Sequence, residues 1–350
     1  MQEAKKLVVD IVTWNSQVYL PNLFETLAHQ DTDEFTVTVV DNASNDGTVK
    51  WLADMHPGVT VLRNFRNQGF ARAHNQAIAL ALSRWPEETW PYRYVLVTNP
   101  DIEFSPECIR RLIRTMDTDP SIAACAPKLL RAVMKSQDDE GRMESERLNI
   151  IDACGLIVKK NRRMLDRGAG EEDKGQYDGL TDVFGFSGAC VLIRASALVD
   201  AKLAGEFFDE DFFMYQEDTD LAWRMQRLGL RSVLVPSAVA WHHRRAPSLP
   251  GGGPLAAWML RRKKSPLINY WSSRNHLWMM WKNDEWVNIF FHGIYIFPYE
   301  TAKLIASIFS WSALRGNVSA YAGIFKMIRK RREVQKRARV SGAAMRKWFV

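Results

Sequence analysis

Cysteine is scarce: Cys108, Cys125, Cys154 and Cys190 are the only four, and no two form a C-x-x-C pair. That argues against a zinc ribbon, a dithiol redox centre or a disulfide scaffold, and a reduced, cytosolic setting is expected. The N-terminus, MQEAKKLVVDIVTWN, lacks the long apolar core and small-residue cleavage site of a secretory signal, so export is not expected. No G-x-G-x-x-G follows the first apolar run, where Thr13–Trp14–Asn15 stands instead, which disfavours a dinucleotide-binding oxidoreductase. The most apolar stretch, Val287–Leu314, is broken by His292, Pro298, Glu300 and Lys303. It falls short of the roughly 20 uninterrupted apolar residues of a spanning helix, and an interfacial or re-entrant helix pair is expected. No internal repeat or low-complexity tract is evident.

What is present is enough for a sizeable core. The chain has 350 residues, 47% of them apolar and 25% charged, and carries a net charge of +7. Such a charge suits an anionic partner: a nucleic acid, a phosphate-bearing substrate or an acidic lipid surface.

Short β-rich runs at Leu7–Val12, Phe35–Val40, Val59–Leu62 and Tyr94–Thr98 alternate with helical patterns at Tyr19–Gln30 and Ala71–Ser83. This alternation predicts a parallel sheet with crossover helices. Polar residues cluster where the runs end, at Thr13–Asn15, Asp41–Asn45 and Asn99–Asp101, as expected of a ligand site beyond the carboxyl ends of strands. From Lys135 to Asp182 the chain turns polar and charged, which predicts exposed, mobile loops around a short β element at Leu148–Lys159. A helix is expected near Thr219–Leu228, and Pro247–Pro254 reads as a flexible loop. Between Lys326 and Lys347 lie ten Lys or Arg and one acid, Glu333. Beside the aromatic segments this basic tail suits an anionic leaflet, or else a solvated helix packed on the core.

The carboxylates carry the chemistry. Asp41, with Asn42 after it, could accept hydrogen bonds from a base or ribose, although Asn-Ala-Ser-Asn-Asp-Gly also reads as an Asx-turn and helix cap. Asp101 is a hard oxygen ligand suited to Mg²⁺ or Mn²⁺ bridging a diphosphate, or a turn residue. In Phe207–Arg224, Asp209, Glu210, Asp211, Glu217, Asp218 and Asp220 are interleaved with aromatics. Burial raises a carboxyl pKa unless the group is paired, the environment a general base needs; alternatively, Glu217, Asp218 and Asp220 complement a helix N-terminus. His242 or His243 could complete a metal site, and Arg244 and Arg245 could meet phosphate oxygens.

Taken in order, VTWN, VVDNASNDGT, NQGFARAHN, TNPD, GACVLIR and FFMYQEDTDLAWR resemble the family-two glycosyltransferases, most closely the bacterial rhamnosyltransferase branch. The resemblance covers roughly residues 5–280. It implies an α/β GT-A nucleotide-diphospho-sugar transferase fold with a C-terminal helical, amphipathic extension, and inverting transfer. The division it suggests is a catalytic domain over 1–255, with a nucleotide-sugar half (1–104) and an acceptor half (105–255), a membrane-associating region over 256–325 and a basic tail over 326–350. By motif position, Thr13, Asn15, Asp41, Asn42, Arg72, Asn75, Asn99 and Gly188 would line the donor and its surroundings. Asp101 and His242 would hold Mg²⁺ or Mn²⁺, with Asn99 standing where a first carboxylate is common. Asp218, or else Glu217, would be the catalytic base. The expected partners are a dTDP- or UDP-sugar, a lipid-linked or glycan acceptor and the inner face of the cell membrane. The rival reading is a non-catalytic α/β protein binding nucleic acid through its basic tail, which the acidic cluster disfavours.

Overall fold

A computed structural model describes residues 5–137, 143–179, 182–244 and 265–350. The first half alternates as the sequence predicts: β1 (Leu7–Thr13), α1 (Leu20–Ala28), β2 (Phe35–Asp41), α2 (Thr48–Met55), β3 (Thr60–Arg63), α3 (Gly69–Ser83) and β4 (Tyr94–Thr98). Strands β3, β2, β1 and β4 lie side by side in parallel. Because successive side chains point to opposite faces, Leu7, Val9 and Ile11 of β1 enter one buried cluster while Val8 enters another with Val95 and Val97 of β4. Helices on both faces explain why these strands read as continuous apolar runs.

Beyond β4 come β5 (Ile102–Phe104), α4 (Cys108–Thr118), β6 (Ile122–Gln137), β7 (Met143–Ala153), β8 (Leu156–Val158), β9 (Met164–Asp166), β10 (Asp182–Val183), β11 (Cys190–Arg194), α5 (Ala195–Ala201), α6 (Glu217–Arg227) and β12 (Arg231–His242). β11 runs antiparallel to β4, and the sheet continues through β6 and β12 to β10. The short β element expected at Leu148–Lys159 is present in β7 and β8, while the loops expected around it are corrected where β6, the start of β7 and β9 stand. β6 and β7 pair antiparallel as a long ribbon, and β8 pairs with β9. The polar composition reflects a ribbon wet on one side: Ile151 is fully buried, whereas Lys135 and Glu146 pair in solvent.

Helices α7 (Pro266–Asn283), α8 (Trp286–Phe291), α9 (Gly293–Ser307), α10 (Trp311–Ala322) and α11 (Ile324–Arg337) complete the chain. Leu277, Trp278 and Met280 of α7 share one core with Phe184, Phe212 and Trp223 of the sheet domain. Ion pairs reinforce the junction. The fully buried Lys282 reaches Asp209 at 2.6 Å and Asp220 at 2.8 Å, and Lys330 reaches Asp209 at 2.5 Å and Asp211 at 2.7 Å. The basic tail is therefore partly docked: Lys326 and Lys330 turn to the acidic segment, and Arg331 and Arg337 donate to backbone carbonyls. Among the described residues no helix is long and apolar enough to cross a membrane.

Candidate active site

Three strand ends meet at one edge of the sheet. Thr13 and Asp41 are in register on β1 and β2, and the Thr13 hydroxyl donates to Asp41 Oδ1 at 3.0 Å. The other Asp41 oxygen accepts the Ser44 N–H at 3.0 Å. Asn15, at φ 51°, accepts from the Asn45 N–H at 2.9 Å and so ties the first loop to the second. Asn42 and Asn75, expected to line the donor, are spent inside the protein. Asn42 donates to the Gly69 carbonyl and accepts from Asn64, while Asn75 exchanges two hydrogen bonds with the Phe208 backbone. Both shape loops around the cleft. Arg72 remains half-exposed, its nearest carboxylate being Glu210 at 3.6 Å.

The Asn99 backbone N–H donates to Ala189, holding the end of β4 against β11. Asp101 follows, and the pairing of β5 with β12 sets Ile102 opposite His242. As a result His242 Nε2 lies 3.4 Å from Asp101 Oδ1, which is buried without a hydrogen-bond partner among the described residues. The other ring nitrogen of His242 is held by Asp152 at 2.8 Å. Burial alone would lower the imidazole pKa, but Asp101 and Asp152 outweigh it and lift it to about 9. His243 goes elsewhere: its Nε2 is 2.6 Å from Glu103, which also binds Arg147 at 2.9 Å. That pairing separates the two histidines that the sequence left in competition.

Asp152 and Asp166 were not singled out from the sequence: the first lies in the short β element expected at Leu148–Lys159 and the second in the stretch expected to be loop. Arg244 bridges them, at 3.1 Å and 2.9 Å. Asp166 in turn lies close enough to Asp218 to act on its charge. Thus Asp101, His242, Asp152, Arg244 and Asp166 form one chain of charged contacts. Arg245 and the Pro247–Pro254 segment lie outside the described residues.

Asp218 sits in the first turn of α6, partly exposed. Its Oδ2 accepts the Gly188 N–H at 2.8 Å and its Oδ1 the Thr219 N–H at 2.7 Å. Burial raises its pKa, and Asp166 adds to that, against these two donors. Glu217 is more enclosed; burial and then the Asp218 charge push it well above the ordinary range, and one of its oxygens lacks a partner. A Cβ on Gly188 would press on Phe70 at 3.1 Å and on Asp218 at 3.2 Å, so glycine keeps this corner open. Among the described residues, Glu217 and Asp218 are the members of the acidic segment without a cation: Asp209, Asp211 and Asp220 serve the helical junction, and Glu210 faces Arg72.

Among the described residues no three His, Cys, Asp or Glu side chains form a ready metal cage. A carboxylate with an orphaned buried oxygen beside an imidazole oriented by a second carboxylate nonetheless suits a divalent ion completed by phosphate oxygens and water.

Residues 9–199 match the family described as Glycosyl transferase family 2. The chain belongs to that family. This family-2 enzyme is 29% identical, over 68% of its own length and 76% of the relative's, to the N-acetylglucosaminyl-diphospho-decaprenol L-rhamnosyltransferase of Mycobacterium tuberculosis. It is 25% identical to the low-salt glycan biosynthesis hexosyltransferase Agl10 of Haloferax volcanii, over 63% of this chain and 62% of that one. Its fold is shared with GalNAc-T7, crystallised with UDP, GalNAc and Mn²⁺, at a TM-score of 0.58 and 13% identity. That alignment covers 93% of this chain but spans only 58% of the other. The chain is thus a nucleotide-sugar glycosyltransferase of GT-A fold followed by a helical region, and the non-catalytic reading is set aside.

Proposed function

We propose that this glycosyltransferase moves rhamnose or a related hexose from a dTDP- or UDP-sugar to a lipid-linked or polysaccharide precursor, with inversion, at the cytoplasmic face of a membrane. The observation that carries the reading is Asp218: a carboxylate at the cleft, its oxygens fixed by two backbone N–H groups and its pKa raised toward the working range of a general base. It takes the proton of an acceptor hydroxyl as that oxygen attacks the anomeric carbon, and the nucleoside diphosphate leaves from the opposite side. Glu217 is buried, its pKa pushed up by burial, whereas Asp218 is partly exposed, so the task falls to Asp218. Asp101 and His242 would hold Mg²⁺ or Mn²⁺, which supplies positive charge against that growing on the leaving diphosphate. The rhamnosyl and lipid-linked parts of the proposal draw on the mycobacterial relative's name and on the helical face described next.

Helices α8 to α10 expose Trp286, Phe290, Ile294, Phe297, Ile308 and Phe309, each more than 60% accessible. Cations stand at its rim, with Arg346 4.7 Å from the Phe291 ring and Lys160 5.6 Å from the Tyr295 ring. Glu300 is the one acid between Trp286 and Ala322, and it is engaged by His276 and Lys303. An apolar face with a basic rim fits an in-plane contact with an anionic bilayer. The test is a donor screen read by nucleotide diphosphate release from the full-length protein, with lipid-linked acceptors and with or without Mn²⁺. Release with a dTDP- or UDP-hexose that drops about 100-fold or more in Asp218→Asn is expected; equal release by both proteins would sink the assignment.

A further inference from the structure

The four residues before Glu217 and Asp218 are held in an unfavourable backbone. Phe213, Tyr215 and Gln216 have φ of 62°, 68° and 73°, in the region where a side chain costs about 1–2 kcal/mol each. Such a turn persists only where its surroundings over-determine it. The surroundings here belong to α7, beyond the residues that match the family.

Asn275, fully buried, aims its amide nitrogen at three carbonyls of this turn: Phe212 at 2.7 Å, Met214 at 2.8 Å and Tyr215 at 2.8 Å. The Asn275 carbonyl oxygen accepts from Arg274 Nε at 2.9 Å, which fixes which way the carboxamide faces. Arg274 also donates to the Asp211 carbonyl, and its guanidinium lies 4.2 Å from the Trp271 ring. Trp271 stacks on Phe213 at 4.8 Å between ring centres, with 17° between planes. On its other side the turn receives the Phe70 N–H on the Phe213 carbonyl at 2.7 Å, where Gly69 leaves room that a Cβ would not. One strained turn is thereby gripped by the donor-side helix and by α7 while it carries the carboxylates.

We infer that Asn275, with Arg274 and Trp271, is a positioning residue for the base: it holds the 213–216 turn so that Asp218 faces the acceptor in line with the donor. The inference rests on Asp218 as base, and it concerns orientation rather than stability. An alanine at 275 takes the side-chain donor from the Met214 and Tyr215 carbonyls, while the Phe212 carbonyl keeps the Met214 N–H at 2.7 Å, and frees the turn to relax toward ordinary φ values. A displacement of this order costs about 10- to 100-fold in kcat when the reacting groups must align.

The experiment compares full-length wild type, Asn275→Ala and Trp271→Leu by three readouts: kcat and donor KM, the stoichiometry of nucleotide binding by calorimetry, and hydrogen exchange of the amides of Met214–Thr219. The expected result is a fall in kcat with donor KM and binding stoichiometry unchanged, and faster exchange confined to that segment. A structural role alone would lower stoichiometry and kcat together. Should Asn275→Ala fail to fold, Trp271→Leu, at a half-exposed ring, carries the comparison, with the same fall expected. Unchanged kcat and unchanged exchange in a folded variant would overturn the inference. If wild type itself transfers no sugar, the functional assignment fails, while the exchange data still decide whether Asn275 holds the turn.

Discussion

Replacing Lys282 with methionine removes a fully buried cation from the junction between sheet and helices. Removing one member of a buried ion pair typically costs about 3–5 kcal/mol, because a charge is left without compensation. The low end applies here, about 3 kcal/mol, since neither carboxylate is abandoned. Asp209 keeps Lys330 at 2.5 Å, and Asp220 keeps Arg224 at 3.0 Å and Asn283 at 2.7 Å. Lys330→Met should cost less, about 1 kcal/mol, because that lysine reaches solvent and leaves Asp209 with Lys282. The pH dependence follows from Asp209. Burial would raise its pKa, but Lys282 and Lys330 hold it well below the ordinary 3.8. A depressed folded value means that its stabilisation is full above 3.8 and disappears as pH falls through the folded value. The gap between wild type and Lys282→Met, read as urea midpoints of the full-length chain, should therefore be open at pH 7 and close in acid. A loss below about 1 kcal/mol at pH 7, or a larger effect from Lys330→Met, would refute the reasoning.

Asp101→Asn and His242→Gln should each weaken Mn²⁺ stimulation of nucleotide diphosphate release, by about 10-fold or more, and shift the Mn²⁺ titration to higher concentration; His243→Gln should leave that titration in place. Phe290→Glu combined with Phe309→Glu should abolish cosedimentation with vesicles containing phosphatidylglycerol while leaving the thermal midpoint unchanged. If the wild-type protein ignores such vesicles and instead sediments as a dimer, the exposed face meets a second copy and the bilayer reading falls.

The parallel strands were legible because β1 and β4 are buried on both faces, so that YVLVT, and LVVDIV apart from the buried Asp10, read as apolar runs with polar ends. The meeting of Asp101 with His242 was legible only through motif order, for the register of β5 on β12 that creates it is a long-range fact. Asp152 and Asp166 were hidden because composition averages a ribbon's wet and buried sides into one polar stretch. The acidic segment misled for a related reason. Carboxylates among aromatics call for partners, and the partners, Lys282 and Lys330, arrive from helices far along the chain. Asn275 offered no signal at all, since an amide in an aromatic helix has no local pattern that marks three carbonyls as its acceptors.

The junction between α7 and the turn before Asp218 also sets a schedule for biosynthesis. A ribosome that has released the whole sheet has still not supplied Asn275, Lys282 or the aromatic side chains that cover Phe212 and Trp223. On the proposed assignment, the nascent chain holds its nucleotide-binding edge early and its base late. A chain that ended after β12 would thus lack the α7 side chains that hold the turn before Asp218.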